Sequence, residues 1–397
     1  MRVSTQSFFQ NSIATLQRLQ SDLNGLQEQI ATGRRIQRPS DDPVGAARSL
    51  DLQQSIDTLT QYQSNTGLVQ TRLQLEEQTL GEFTNLLQRT RELALQASNA
   101  TQTPETRSFI AAEIRQNIDA ALAFANTRDA SDNYLFGGYQ TGTQPFTRDA
   151  AGFNYNGDQG QRLIQVSRSR QIADSDPGDK IFGRIREGNG QFIAIPGSVN
   201  GGTGVIFSDS AAAVPGYNYE RYSISFTAAD AYEVRDSLGA LVTSGAYESG
   251  NSIAFNDLSF TIDGAPEPGD SFSVEPSANT DVFTIMSRIA DALEGDNGSA
   301  TGVAQVSNAL NRGISGIDQA LTQVLKARTN VGARLNVAEA QVAANSGVEL
   351  VLRESLADIE DLDYAEAISA LSQQATALEA AQQSFVRVQG LSLFNFL

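Results

Sequence analysis

The stretch FQNSIATLQRLQSDLNGLQEQI, residues 9–30, places apolar side chains at Phe9, Leu16, Leu19, Leu23, Leu26 and Ile30, mostly in steps of three and four. Gln, Ser and Asp fill the positions between. This is a heptad-type helical stripe, too narrow to bury a helix inside a globular core, and its natural complement is a similar stripe on another helix. Such a stripe recurs at the other end of the chain, where Leu352, Leu356 and Ile359 lead to Ile368, Leu371, Ala375, Leu378, Phe385 and Val388, followed by the apolar tail Leu391, Leu393, Phe394, Phe396 and Leu397. The two ends are therefore expected to pair. The flanks that one pairing leaves wet are expected to be covered by further copies.

Working inward, Gly33-Arg34-Arg35 interrupts the first helix, and Pro39-Ser40-Asp41-Asp42-Pro43 supplies a turn with Asp42 placed as N-cap and Pro43 at the first helical position. A second helix then carries Leu52, Ile56, Leu59, Tyr62, Val69, Leu73, Leu80, Phe83 and Leu87. At 1.5 Å per residue its fifty or so residues reach roughly 75 Å. Thr103 and Pro104 start a third helix with Ile110, Ile114, Ile118 and Leu122 on one face. From Tyr134 to Pro276 the pattern changes to Gly- and Pro-punctuated alternation, as in residues 163–166, 222–226 and 258–262, which predicts strands. Helical periodicity returns at Val282, stops over residues 295–302, and resumes from Val303 to Val342.

The expected fold class is α+β: an elongated rod whose N- and C-terminal helices form a coiled-coil-like bundle around a central strand-rich region. The expected segments are 1–42, an N-terminal assembly helix and turn; 43–133, rod helices; 134–279, an outer β-rich region of one or two small domains; 280–345, C-terminal rod helices; and 346–397, a C-terminal assembly helix with its apolar tail. Candidate subunit-interface residues are Phe9, Leu16, Leu19, Leu23, Leu26, Ile30, Leu371, Leu378, Phe385, Val388, Leu391, Leu393 and Phe394. Pro39, Asp41, Asp42 and Pro43 form the candidate structural turn.

Composition narrows the chemistry. The 397 residues include no Cys, His or Trp, which removes thiolate nucleophiles, imidazole bases, disulfides and the usual soft metal ligands. The chain is expected not to be an enzyme and to need no cofactor or metal. The net charge of −18 is concentrated between Asp209 and Asp296, with fifteen acidic and three basic residues, a surface that repels nucleic acid. No apolar run is long enough for membrane insertion, and Met1–Ser12 lacks the pattern of a cleaved signal peptide.

Other features have plain readings. Asp41-Asp42 lies between two prolines, where capping accounts for both acids. Gly201-Gly202-Thr203-Gly204 lacks the lysine and preceding strand of a phosphate loop. Asp257, Asp263, Glu267, Asp270 and Glu275 lack the ligand spacing of a calcium loop. Arg34, Arg35 and Arg38 have no interleaved aromatics for nucleic acid and fit contacts with neighbouring subunits better. A sugar-binding adhesive module on a coiled-coil stalk stands as an alternative from another class.

Five pieces in order and spacing carry a resemblance: Thr32-Gly33-Arg34-Arg35-Ile36 with residues 39–43; Asn126-Thr127-Arg128-Asp129; Tyr134-Leu135-Phe136-Gly137-Gly138-Tyr139; Tyr155-Asn156-Gly157-Asp158-Gln159-Gly160-Gln161-Arg162; and Leu391-Ser392-Leu393-Phe394. By these the chain resembles the flagellin-like family of bacterial axial proteins, over nearly its whole length. The Pro-Ser-Asp-Asp-Pro turn and the Tyr-Leu-Phe-Gly-Gly-Tyr stretch look more like a junction protein between hook-associated ring and filament than like flagellin, the alternative. The resemblance implies a ring of like subunits, contacts with hook-associated protein 1 and flagellin, and a cytoplasmic export chaperone. It also implies passage through the flagellar type III export apparatus to an extracellular position on the bacterial flagellum.

Overall fold

The computed structural model describes residues 5–208 and 217–394, without the side chains of 5, 6, 8, 208 and 388–394. Among the described residues, six helices flank a run of short strands in chain order: α1 (Thr5–Thr32), α2 (Pro43–Ala97), α3 (Pro104–Ala125), fourteen strands, then α4 (Val282–Glu294), α5 (Ala300–Glu360) and α6 (Tyr364–Phe394). The chain divides into two compact units, Met1–Ser64 with Gln341–Leu397, and Asn65–Ala340.

Local chemistry sets most helix starts. Asp42 accepts a hydrogen bond from Gly45 N at 2.8 Å, in the first turn of α2. Thr103 and Thr106 form a reciprocal capping box ahead of α3, with Pro104 at its first position. Asp281 caps α4 by accepting from Thr284 N at 2.7 Å. At the end of α1, Gly33 adopts φ +73, the left-handed conformation that ends helices and that glycine takes without strain.

In the larger unit, residues 65–97 of α2 and 300–340 of α5 share one core with α3, α4 and two antiparallel ribbons. The ribbons are β1 (Phe146–Asp149) with β2 (Gly152–Tyr155), and β3 (Leu163–Ser167) with β4 (Arg170–Ala173). Phe182, in a π-helical turn at Asp179–Gly183, stacks edge-on against Phe83 at 4.8 Å and Phe136 at 5.1 Å between ring centres. Edge-to-face pairs of this kind add about 0.5–1.5 kcal/mol to their area burial.

The remaining strands are β5 (Ile185–Arg186), β6 (Phe192–Pro196), β7 (Val205–Ser208), β8 (Tyr222–Ala228), β9 (Ala231–Arg235), β10 (Leu241–Ala246), β11 (Ser252–Phe255), β12 (Leu258–Asp263), β13 (Ser271–Pro276) and β14 (Asn279–Thr280). They form a five-stranded antiparallel sheet in the order β10-β9-β8-β13-β6, a three-stranded sheet β11-β12-β7, and a short β14-β5 pair. The two larger sheets share a second core, with Tyr222, Ile224, Phe226, Phe260, Phe272 and Val274 at its centre. Along β8 and β13 buried and half-buried residues alternate, the period-two signature of a strand with one face on a core. The central region expected at 134–279 thus contains two kinds of β structure: ribbons that finish the helical core, and a sheet pair with its own core.

The boundary expected between 345 and 346 lies within α5, which continues unbroken to Glu360, and the division between the two compact units at Ala340/Gln341 lies in the same helix. No proline or capping glycine interrupts it, and Asn345 is buried while accepting from Gln341 Nε2 at 2.8 Å. The break comes at Asp361–Asp363, where Asp363 caps α6 through Ala365 N at 2.9 Å. That restart shifts the helical phase, so Ile368 is exposed and Ala367 is buried in its place.

Candidate assembly surface

The smaller unit is built from helix pairs. Gly33 O accepts from Leu362 N at 3.0 Å, Gln374 Nε2 lies 3.4 Å from Asp22, and Phe9 stacks on Phe385 with ring centres 5.2 Å apart. Residue numbers on α1 fall as those on α6 rise, so the two helices run antiparallel. Residues 43–64 of α2 pair with 341–360 of α5 in the same sense: Gln63 reaches Ser346 and Glu349, and Ser49 donates to Glu360.

A backbone staple fixes the register of these pairs. Arg35 N donates to Glu360 O at 2.7 Å, and its guanidinium donates to Ile359 O at 3.1 and 2.8 Å. Arg35 therefore has acceptors within its own chain, which the sequence reading did not anticipate. Arg34 and Arg38 are exposed, with Glu360 at 3.6 Å and Glu28 at 3.9 Å, distances typical of weak surface pairs.

In the 39–43 turn, Asp41 accepts from Arg38 N at 2.9 Å and Gln37 N at 3.2 Å. The hydrogen bond from Arg38 N, with those from Gln37 N and the Ser40 hydroxyl, holds its carboxyl below the ordinary aspartate value. Both acids of the pair are thus engaged by the local backbone, Asp41 in the turn and Asp42 at the helix start.

On α1, Leu16, Leu19, Leu23, Leu26 and Ile30 are half-buried, and so are Leu371, Leu378 and Phe385 on α6, while Phe9 remains 42% exposed. A half-buried leucine leaves about 1 kcal/mol of its transfer free energy unrealised. Asn11, Thr15, Leu16, Ala381, Ser384 and Phe385 line an open groove along the pair. Nearby elements of the same unit expose Val44, Leu50, Leu350 and Val351. Val388, Leu391, Leu393 and Phe394 lie on the backbone of α6, but their side chains are outside the described residues, as are Phe396 and Leu397 entirely.

The sequence pieces singled out around 126–162 form a packing lock. Leu135 and Phe136 are fully buried. Tyr139 N and Gly160 N both donate to Asp158 Oδ1, at 3.0 and 2.7 Å, so one carboxylate joins two of the pieces. Gly138 has φ +70, and a Cβ there would collide with Asp158. Asp129 accepts from Ser131 N and Asn133 N and pairs with the buried Arg72.

The first donors of the loop at 201–204 are taken by the chain itself. Gly201 N, Gly202 N and Glu267 N all donate to Asp270, at 2.8, 3.1 and 2.9 Å, so a carboxylate of the chain already occupies that cradle. Among the described residues no group of three or more acidic side chains is placed to hold a metal ion, and no helix is long and apolar enough to cross a membrane.

Sequence reading missed the buried charges. Arg107 is 2% exposed and donates to Asp296 at 2.7 Å and to Ala97 O at 3.1 Å. Glu76 is buried beside Asp176, Asp174 and Arg334; burial first, then the charge of Asp176, raises its pKa well above the ordinary glutamate value. Arg72 Nε lies 3.0 Å from Asp174 Oδ2 as an ion pair without a hydrogen bond. Partners separated by tens to hundreds of residues leave no local signal.

Residues 3–141 match the bacterial flagellin N-terminal helical region, and residues 314–397 the bacterial flagellin C-terminal helical region. The chain is 27% identical to flagellar hook-associated protein 3 of Escherichia coli K12 over 395 residues, 100% of this chain and 99% of that protein. The crystal structure of Xanthomonas campestris FlgL superposes with TM-score 0.73 at 35% identity, covering 77% of this chain and 99% of that one. The flagellar junction protein FlgL of Legionella pneumophila superposes with TM-score 0.71 at 29% identity, covering 79% and 99%. A flagellin from Clostridium tyrobutyricum aligns over 29% of this chain.

Proposed function

The chain belongs to the family of flagellar hook-associated protein 3, and from that premise we propose that it forms the junction between the hook-associated ring and the flagellin filament, as a structural subunit. The family is one of structural flagellar proteins, and a flagellar component of this kind is extracellular.

The observation that supports the mechanism is the antiparallel α1–α6 pair, whose apolar stripes are only half-buried. In our reading Phe9, Leu16, Leu19, Leu23, Leu26 and Ile30, with Leu371, Leu378, Phe385, Val388, Leu391, Leu393 and Phe394, complete their burial against other subunits. Each position that goes from half to full burial adds about 1 kcal/mol, and a ring repeats that gain in every copy. The turn at Pro39, Asp41, Asp42 and Pro43 sets where the first assembly segment ends. Like subunits form a ring, with hook-associated protein 1 on one side and flagellin on the other. Before assembly the chain is held by a cytoplasmic chaperone and leaves through the flagellar type III apparatus.

Electron microscopy of the native host after clean deletion of the gene, with flagellin assayed in the medium, tests this. Hooks without filaments, with flagellin lost to the medium, are expected. Normal filaments would overturn the junction role. Bare hooks with no other flagellin detectable would assign the chain to the filament instead.

A further inference from the structure

The larger unit carries chemistry of its own, away from the helical ends. The sequence places glycine after asparagine at Asn24, Asn156, Asn189, Asn200 and Asn297. Asparagine is a thermolabile residue, and a following glycine opens the route by which it reacts. The glycine nitrogen can attack the asparagine side-chain carbonyl, because glycine has no Cβ to crowd the approach. The surroundings of each pair decide whether that attack is held back or helped.

Four pairs are restrained. Asn24 lies inside α1, where the helical ladder fixes the glycine nitrogen. Asn156 donates its amide to Thr147 Oγ1 at 2.9 Å. Asn189 is half-buried, and Gly190 N donates to a neutral backbone acceptor, Glu187 O, at 3.1 Å. Asn200 is clamped at both ends of its amide by Ser271, accepting from its N and donating to its O, each at 2.9 Å.

At Asn297 the groups that the reaction uses come together. The residue is exposed in the turn between α4 and α5. Its Oδ1 accepts from Ser299 N at 3.0 Å and from the Ser299 hydroxyl at 2.6 Å, and Gly302 N holds that hydroxyl at 2.9 Å. Two donors on one carbonyl oxygen are placed to stabilise the charge that develops there when the carbon is attacked. Among the described residues Asn297 Nδ2 has no acceptor, so the leaving group is free. The nucleophile, Gly298 N, donates to Asp296 Oδ1 at 3.0 Å, within the reach required of a general base. Buried Arg107 fixes the other oxygen of that carboxylate at 2.7 Å.

We propose that Asn297-Gly298 is a self-modification site, where the chain converts its own asparagine amide to a carboxylate. Gly298 N bonds to Asn297 Cγ as its proton passes to Asp296. The bond from Cγ to Nδ2 breaks, and the departing amide takes that proton and leaves as ammonia. Water then opens the cyclic imide, leaving aspartate or isoaspartate at position 297. Water is the one co-reactant consumed. Asp296 is the base, Ser299 supplies both oxyanion donors, and Arg107 acts as a positioning residue through Asp296. Either product sets a new carboxylate beside Asp296 at the start of α5, and because the step is irreversible it accumulates with the age of each copy.

The test follows the full-length chain in neutral buffer at physiological temperature, folded and in urea. Peptide mass spectrometry with an isoaspartate assay reads the four pairs of the larger unit. In the folded chain Asn297 is expected to convert about tenfold faster than Asn156, Asn189 or Asn200. In urea the four rates are expected to converge. Ser299→Ala removes one of the two donors and is expected to slow Asn297 roughly tenfold in the folded chain while leaving its rate in urea unchanged. Conversion of Asn297 no faster than at the other three pairs would overturn the site. So would a lead of Asn297 that persists undiminished in urea, since the fold would then contribute nothing. The folded and unfolded states of the unaltered chain decide the matter even where the variant fails to fold.

Discussion

The apolar stripe of α2 meets two fates along one helix, and α1 shares the second of them. Between residues 65 and 97, Val69, Leu73, Leu80, Phe83 and Leu87 are completely buried. In the smaller unit Ile56 of the same helix is buried, but Leu52, Leu59 and Tyr62, with Leu16, Leu19, Leu23 and Leu26 of α1, are only half-buried. The spacing is alike; the number of neighbours differs. In the larger unit α3, α4, the two ribbons and the Phe182 turn close every flank of the stripe, whereas in the smaller one the described elements are helices alone. Periodicity sets which face of a helix is apolar, and the partners available decide how much of that face is dry.

The sharpest way to break this contrast is to strike a buried charge in the larger unit. Arg107→Met leaves Asp296 buried without its partner and is expected to cost about 3–5 kcal/mol, read by urea unfolding. Arg107→Met with Asp296→Leu should recover much of that loss. A single variant as stable as the original chain would mean that this core is not sealed.

Truncations on the two stripes compare them directly. Phe83→Ala, fully buried and stacked on Phe182, should cost about 3–5 kcal/mol. Leu23→Ala should cost about 1 kcal/mol in the dilute chain yet impair assembly in the host. Hydrogen exchange should likewise show weaker protection of residues 16–30 than of 69–87 before assembly. Equal costs and equal protection would erase the distinction between the regions.

The smallest expected effect concerns pH. Glu76 has a raised pKa in the folded chain, so the native state holds a proton that the unfolded state releases near the ordinary glutamate value of 4.5. Stability from this site is therefore present at low pH and falls as pH rises from 4.5 through the higher native value. Glu76→Gln should flatten that dependence and be the more stable form at pH 8, with little difference near pH 4. Thermal unfolding across that range would expose the opposite sign.

Much of the architecture was legible because its signals are local. Thr103-Pro104 and Asp42-Pro43 place helix starts within one turn of themselves, and the alternation at 222–226 marks a strand within five residues. The end of α5 was not legible, because the apolar periodicity was followed only to Val342 whereas the helix runs on to Glu360. The apolar stripes of α1 and α6 were legible from spacing, whereas the bond from Arg35 to Ile359 O was not, because that acceptor lies 324 residues away.

The sequence by itself determined the helical ends, the apolar faces they carry and the exclusion of thiol and imidazole chemistry, since each rests on residue type and on spacing within a few turns. Only the tertiary structure decided which stripes are sealed, which arginines are buried with which acids, and that Asp270 fills the glycine loop. Those outcomes depend on desolvation and on long-range partners, and the free energy of burying an apolar or charged group is a property of everything packed around it.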